Sequence, residues 1–127
     1  MRACKVMLST KTDGVDNEIV RDGEFEIFPR AANIVYREDH ALVKMSLFGE
    51  KAEIVREGDY TLSLSLESGK TTKGSIGIGG SAGDILMETQ SIEYKIAEDF
   101  VVALLVYDLI IGEERQSTEV RLLAKAN

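Results

Sequence analysis

The sequence is short of the residues that most often point to a class of protein. Among 127 residues it has one cysteine, one histidine, one proline and no tryptophan. Cys4 is alone and cannot form a disulfide within the chain, and one histidine with one cysteine gives no ordinary set of transition-metal ligands. We therefore expect neither a bound metal nor a cofactor.

Long apolar runs are missing as well. The apolar patch at the N-terminus is broken by Lys5, and the longest uncharged apolar run is Phe100–Tyr107. A transmembrane helix needs ~20 apolar residues, and a secretory signal needs an unbroken run of about 7–15 residues near the N-terminus. By elimination, these absences predict a cytoplasmic protein.

The charge of the chain is acidic and finely mixed. Its formal net charge is −7, and its arginines and lysines stand beside acids, as in Arg37-Glu38-Asp39. Nucleic-acid binding depends on a basic stripe that releases counterions, and an acidic surface repels anionic lipid headgroups. We therefore expect neither nucleic acid nor a membrane surface as a partner.

Apolar and polar residues alternate with a period of two along most of the chain, which is typical of half-buried β-strands. In the clearest case, Tyr60–Glu67, every second residue from Leu62 to Leu66 is a leucine. Turn residues recur about every eight to twelve positions, as in an antiparallel meander. We predict one all-β domain, residues 1–127, with a closed or nearly closed antiparallel barrel of about eight to ten strands, because closure removes exposed edges.

Three local predictions accompany this fold. Asp84–Gln90 and Ile92–Ile96 are predicted as separate strands. The segment Asp13–Glu18 lacks the acid spacing and closing glutamate of a calcium loop, and is predicted to be a hairpin turn. In Phe100–Tyr107 both strand faces are apolar, so the outer face is either covered within the monomer or meets another subunit. The pattern favours a homodimer, with Val102, Leu104 and Val106 as interface residues.

A glycine-rich run occupies residues 71–84, and GIGGSA at residues 77–82 has the G-x-G-x-x-A spelling of a dinucleotide-binding turn. Such a turn also needs a following helix, whose N-terminus binds the pyrophosphate. Here the following residues alternate like a strand. Glycine in a strand is typical of a bulge, a bend or a close backbone approach, so we interpret the run as structural, with a flap beside a cavity mouth as the alternative.

Catalytic groups are hard to assemble from this sequence. His40, the one histidine, lies in the polar turn Glu38-Asp39-His40, and Cys4 lies on the first strand. Neither can complete a nucleophile–base set of the kind hydrolases use. An enzymatic interpretation would need two carboxylates beside Arg56 in an open cleft, so we predict no catalytic residue and favour a protein that is not an enzyme.

Arg56 is predicted to share a strand face with Ile54, which would turn its guanidinium toward the barrel interior. A buried guanidinium must find acceptors: an internal carboxylate, the carbonyls of a turn near Gly58, or an anionic ligand. Tyr36, Tyr94 and Tyr107 also occupy positions that face the apolar side. They either fill the core or place hydroxyls in a cavity, and with Arg56 they form the predicted ligand-binding set.

The order of these features resembles the YwiB-like family of small bacterial proteins with a calycin-like β-barrel. The resemblance spans nearly the whole chain and rests on five segments: Gly23-x-Phe25, Ile34–Glu38, Ile54–Gly58, Thr89–Ile92 and Leu105–Leu109. The R-x-G step at Arg56 and Gly58 is its most specific part. The sequence departs from the family at its glycine run, where a tyrosine and a threonine leading to a single glycine are expected.

The resemblance implies a closed barrel and carries no activity, since no catalytic residues are established for the family. Small barrels can be filled by side chains or can hold one small ligand. We therefore expect a cytoplasmic barrel that binds a small molecule inside. The alternative is an interaction or structural module that forms a homodimer through residues 100–107.

Overall fold

A computed structural model describes all residues, 1–127, as ten β-strands joined by short turns. The strands are β1 (Arg2–Thr12), β2 (Val15–Phe28), β3 (Ala31–Glu38), β4 (Ala41–Phe48), β5 (Lys51–Gly58), β6 (Tyr60–Glu67), β7 (Thr71–Ile78), β8 (Ser81–Ile96), β9 (Phe100–Ile111) and β10 (Glu114–Ala126). The structure contains no helix with the length and apolar character needed to cross a membrane.

The ten strands form one closed antiparallel barrel. Each strand pairs with its neighbours in sequence, and β1 closes the barrel by pairing with β10. This confirms the predicted all-β meander barrel. We call the end that carries the β1–β2, β3–β4, β5–β6, β7–β8 and β9–β10 turns the Arg56 end. The opposite end, with the remaining turns and both chain termini, is the Pro29 end.

The barrel interior is filled by side chains. Alternate residues of each strand point inward, and 21 of them form a single buried apolar cluster. On β6 the inward residues include Leu64 and Leu66, as the alternation of that segment predicts. On β9 they include Val101, Ala103, Leu105 and Tyr107. Burial of this inner face is the main force that holds the barrel together.

One local prediction was wrong, and a second, the hairpin turn at Asp13–Glu18, was right in position but too long. Residues 84–96 belong to one strand, β8, because an irregularity at Gln90 absorbs the break in alternation between Thr89 and Ser91. The first hairpin turn ends at Gly14 and does not extend to Glu18. Asp13 and Gly14 both have positive φ, 48° and 83°, as in a type I′ turn, and two residues therefore suffice to reverse the chain.

The glycine-rich run forms strand β7 and the turn that follows it. Gly79 and Gly80 have φ of 57° and 83° and form the β7–β8 hairpin turn. At Gly74 a Cβ would lie 2.4 Å from the Ser63 carbonyl oxygen, so this strand position requires glycine. No helix follows the run, and the geometry of a dinucleotide-binding turn is absent.

Candidate functional site

Arg56 occupies an inward-facing position next to the Arg56 end of the barrel. In the ladders it pairs with Val43 of β4 and Leu62 of β6. Its guanidinium donates a hydrogen bond from Nη1 to the Tyr60 carbonyl oxygen, 2.8 Å away. Its Nη2 lies 2.8 Å from Asp59 Oδ1. The side chain therefore binds the backbone and the carboxylate of the β5–β6 turn, which was one of the predicted structural roles.

The rest of the guanidinium is also engaged by the protein. It stacks on the Tyr60 ring, with 3.6 Å between Cζ and the ring centroid. Nε lies 3.6 Å from Glu38 Oε2, although it makes no hydrogen bond. The hydrogen bond from Arg56 holds the pKa of the Asp59 carboxyl below its usual range. This arrangement fits a group that fixes a turn.

The R-x-G spacing has a physical cause in this turn. A Cβ at Gly58 would lie 2.1 Å from the His40 carbonyl oxygen, because the β3–β4 turn passes directly beside it. Two residues earlier, Arg56 binds the same β5–β6 turn through Asp59 and Tyr60. The R-x-G spacing thus combines a glycine that lets two turns pass close together with an arginine that binds one of those turns.

The predicted tyrosines do not converge on Arg56 as a set. Tyr36 is buried, and burial raises the pKa of its hydroxyl above the ordinary value. The nearby charge of Arg56 lowers this pKa by a smaller amount. Tyr107 is paired with Thr89 and Thr118 on the neighbouring strands, and burial raises its pKa to about 12.

Tyr94 lies at the opposite, Pro29 end, where its hydroxyl donates a hydrogen bond to the Gly49 carbonyl oxygen over 2.7 Å. The structure thus brings Arg56 and Tyr36 together and separates both from Tyr94. A role of the four residues in ligand binding stays a prediction.

A second feature lies on the outside of the barrel. Four outward-facing apolar residues form a row across neighbouring strands, because Met7 pairs with both Val20 and Leu123, and Leu123 pairs with Val102. Val20, Met7 and Val102 are 56%, 38% and 42% exposed. With Leu104 these residues line a groove of about 460 Å³. We call Val20, Met7, Leu123, Val102 and Leu104 the outer apolar patch.

Two of the three predicted interface residues belong to this patch. Val102 and Leu104 lie within it, whereas Val106 is one outward position farther along β9, between Ser91 and Glu119. Val106 therefore marks the polar border of the patch.

Sequence reasoning missed the patch residues on β1, β2 and β10. The signal was present in pairs of consecutive apolar residues: Met7-Leu8, Ile19-Val20 and Leu122-Leu123 each break the alternation. Only the strand register places their outward members in one row with Val102.

The rim of the outer apolar patch carries charges of both signs. They sit on the ladder positions next to the apolar row. The cations are Lys5, Lys95, Arg121 and Lys125, and the acids are Glu18, Asp22 and Glu93. Four cations against three acids make this region nearly neutral, in contrast to the acidic chain as a whole.

Comparison with known proteins establishes the fold and no activity. A scan against models of known families matches none of them, and a search of curated proteins also finds no match. Among solved structures, the barrel is similar to the crystal structure of the ywiB protein from Bacillus subtilis, with a TM-score of 0.87 and 13% sequence identity. The similarity covers 99% of this chain and 92% of that one. The YwiB-like resemblance is thus confirmed at the level of the fold, whereas the calycin-like description stays a prediction.

Proposed function

We propose that this barrel is an interaction module that forms a homodimer through the outer apolar patch. The observation that carries the proposal is the row of outward apolar side chains across four adjacent strands, from Val20 on β2 to Val102 on β9. Apolar area removed from water contributes about 25 cal/mol per Å², and a contiguous exposed patch is typical of a contact surface.

The charge pattern supports a second copy as the partner. Two molecules of net charge −7 repel each other over most of their surface. The rim of the patch is nearly neutral and offers both lysines and glutamates, so like copies can approach there with less repulsion. A strongly basic partner would instead favour the acidic surfaces elsewhere on the barrel.

A small molecule held inside the barrel is the weaker proposal. The interior is occupied by the cluster of 21 buried apolar residues, and the predicted anchors Arg56 and Tyr94 lie at opposite ends. The hydrogen bonds of Arg56 are directed to the protein's own turn. These contacts favour a structural role for Arg56 over a role in binding an anion.

Sedimentation of two matched variants tests the homodimer. Val102 and Leu86 both point outward and are 42% and 43% exposed, but only Val102 belongs to the patch. We expect wild type and Leu86→Glu to sediment as dimers. Val102→Glu replaces an apolar side chain at the contact with a carboxylate that must lose its water there, and the dissociation constant of the dimer should rise by about tenfold or more.

Circular dichroism verifies that both variants keep the barrel fold. A monomeric wild type at high micromolar concentration, or an equal loss of dimer in both variants, would contradict the proposal.

A further inference from the structure

Two cavities lie side by side at the Pro29 end of the barrel. They have volumes of about 420 and 450 Å³, and both include Pro29 and Ile96 in their walls. Each is in the size range of small-molecule sites. Neither cavity includes a residue of the outer apolar patch, although Lys95 lies both on the rim of that patch and in the wall of one cavity.

The floor of this double cavity is apolar. Ile27 and Ile96 occupy inward-facing positions at the C-terminal ends of β2 and β8, where the barrel interior opens to solvent. Both remain only partly buried. Tyr94 lies beside them, and its ring is fixed by the hydrogen bond from its hydroxyl to the Gly49 carbonyl oxygen. The end of the core thus presents a rigid apolar surface that a hydrocarbon tail can cover.

The walls carry three cations and one acid. Arg2, Arg30 and Lys95 line the cavities together with Glu98. None of the three cations forms an ion pair within the protein. Arg2 donates one hydrogen bond, to the Glu98 carbonyl oxygen over 2.7 Å, and lies above the Phe25 ring. A guanidinium has five N–H donors, so most of those of Arg2 are available to a ligand.

We infer that the Pro29 end binds a soluble, single-chain amphiphilic anion. Its tail covers Ile27, Ile96 and the Tyr94 ring, and its carboxylate or sulfonate lies between Arg2, in the wall of one cavity, and Arg30, in the wall of the other. The positive lining on an otherwise acidic protein selects an anion over a cation of the same shape. Cavities of this size hold one tail, which favours a free amphiphile over a bilayer surface.

Calorimetric titration with decanoate and with decyltrimethylammonium, both below their micelle concentrations, tests the inference. The two probes share a tail and differ in the sign of the headgroup. We expect decanoate alone to bind, more weakly at high salt, and about two- to fourfold more tightly for each methylene added to the tail. Equal affinity for both probes, or no affinity for decanoate, would overturn the inference. Binding to anionic phospholipid vesicles in place of decanoate would overturn the choice of a free amphiphile.

Variants locate the site. Arg2→Gln together with Arg30→Gln should weaken decanoate binding by about tenfold, as expected for loss of two charge-assisted contacts. The control removes two exposed cations from the outer wall, Arg37→Gln with Lys44→Gln, and should leave the affinity unchanged. If the Arg2 variant fails to fold, Arg30→Gln alone carries the test, with an expected loss of about threefold. Unchanged affinity in Arg30→Gln would place decanoate elsewhere and overturn the inference.

Discussion

Strands β6 and β9 build the same barrel wall with opposite outer surfaces. Their inward faces are alike, with Leu64 and Leu66 buried on β6 and Leu105 buried on β9. Their outward faces differ: β6 presents Thr61, Ser63 and Ser65, whereas β9 presents Val102, Leu104 and Val106. Strand β6 forms part of the barrel wall although its outward side chains are hydroxyl residues. An outward position of a strand therefore does not need an apolar residue for the barrel to form.

The difference separates two kinds of apolar residue in one sequence. Inward residues are explained by the core, because their side chains fill the interior of this barrel. The outward residues of β9 need another cause, and they continue across β10, β1 and β2 as the outer apolar patch. The proposed contact with a second copy would supply that cause, since it would remove the patch from water.

The largest fall in the free energy of unfolding is expected for substitutions on the inward faces, where the two strands are alike. Leu66→Ala on β6 and Leu105→Ala on β9 each remove a side chain that is fully buried in the core. Each should lower the free energy of unfolding by about 2–5 kcal/mol, through lost transfer energy and the cavity left behind. Urea unfolding followed by circular dichroism measures this, with the outward variant Ser63→Ala as the control at less than about 0.5 kcal/mol. A loss below about 1 kcal/mol at either leucine would contradict the inward placement.

The next effect tests the outer faces, where the two strands differ. Val102→Thr with Leu104→Ser gives β9 the outer chemistry of β6. The free energy of unfolding of the monomer should change by less than about 1 kcal/mol, because threonine keeps the strand preference of valine. The dissociation constant of the dimer should rise by about tenfold, as apolar contact is lost. A larger fall in the free energy of unfolding, with an unchanged dissociation constant, would show that the outer residues of β9 stabilise the fold and do not form the contact.

Much of the fold could be predicted from the sequence because alternation is a local property. Each inward leucine of β6 is followed by an outward polar residue, and such a pattern identifies a strand without knowledge of its neighbours. The strand prediction failed where the alternation of residue types is interrupted but the backbone remains extended. Residues 84–96 look like two strands, because the irregularity at Gln90 shifts the alternation while the strand continues.

The candidate sites depended on information that the sequence does not carry. The inward position of Arg56 could be predicted from its own strand, but Glu38 comes from β3, and the registers of the β3–β4 and β4–β5 ladders bring it near. Likewise, Val102 could be identified as an outward apolar residue, whereas its continuity with Met7 and Val20 depends on the register of three ladders. Register is fixed by packing over the whole barrel.

The smallest expected effect on stability comes from Tyr107, a buried titratable residue on the inward face of β9, where the buried inward residues of β6 are leucines. Tyr107 is buried beside Thr89 and Thr118, and burial raises its pKa to about 12, above the ordinary value of about 10 for tyrosine. The folded state therefore retains a proton that the unfolded chain loses. The stabilisation is complete below pH 10 and declines as pH rises from about 10 to about 12.

The corresponding test compares wild type with Tyr107→Phe in urea at pH 8 and pH 11. Phenylalanine cannot titrate, so the variant should lose roughly 1 kcal/mol less than wild type between the two pH values. Near neutral pH the two proteins should differ little, because phenylalanine fills nearly the same volume. An identical loss at pH 11 in both proteins would mean that the Tyr107 hydroxyl meets water. In that case the inner wall of β9 would be open at this level, whereas the inner wall of β6 is closed by leucines.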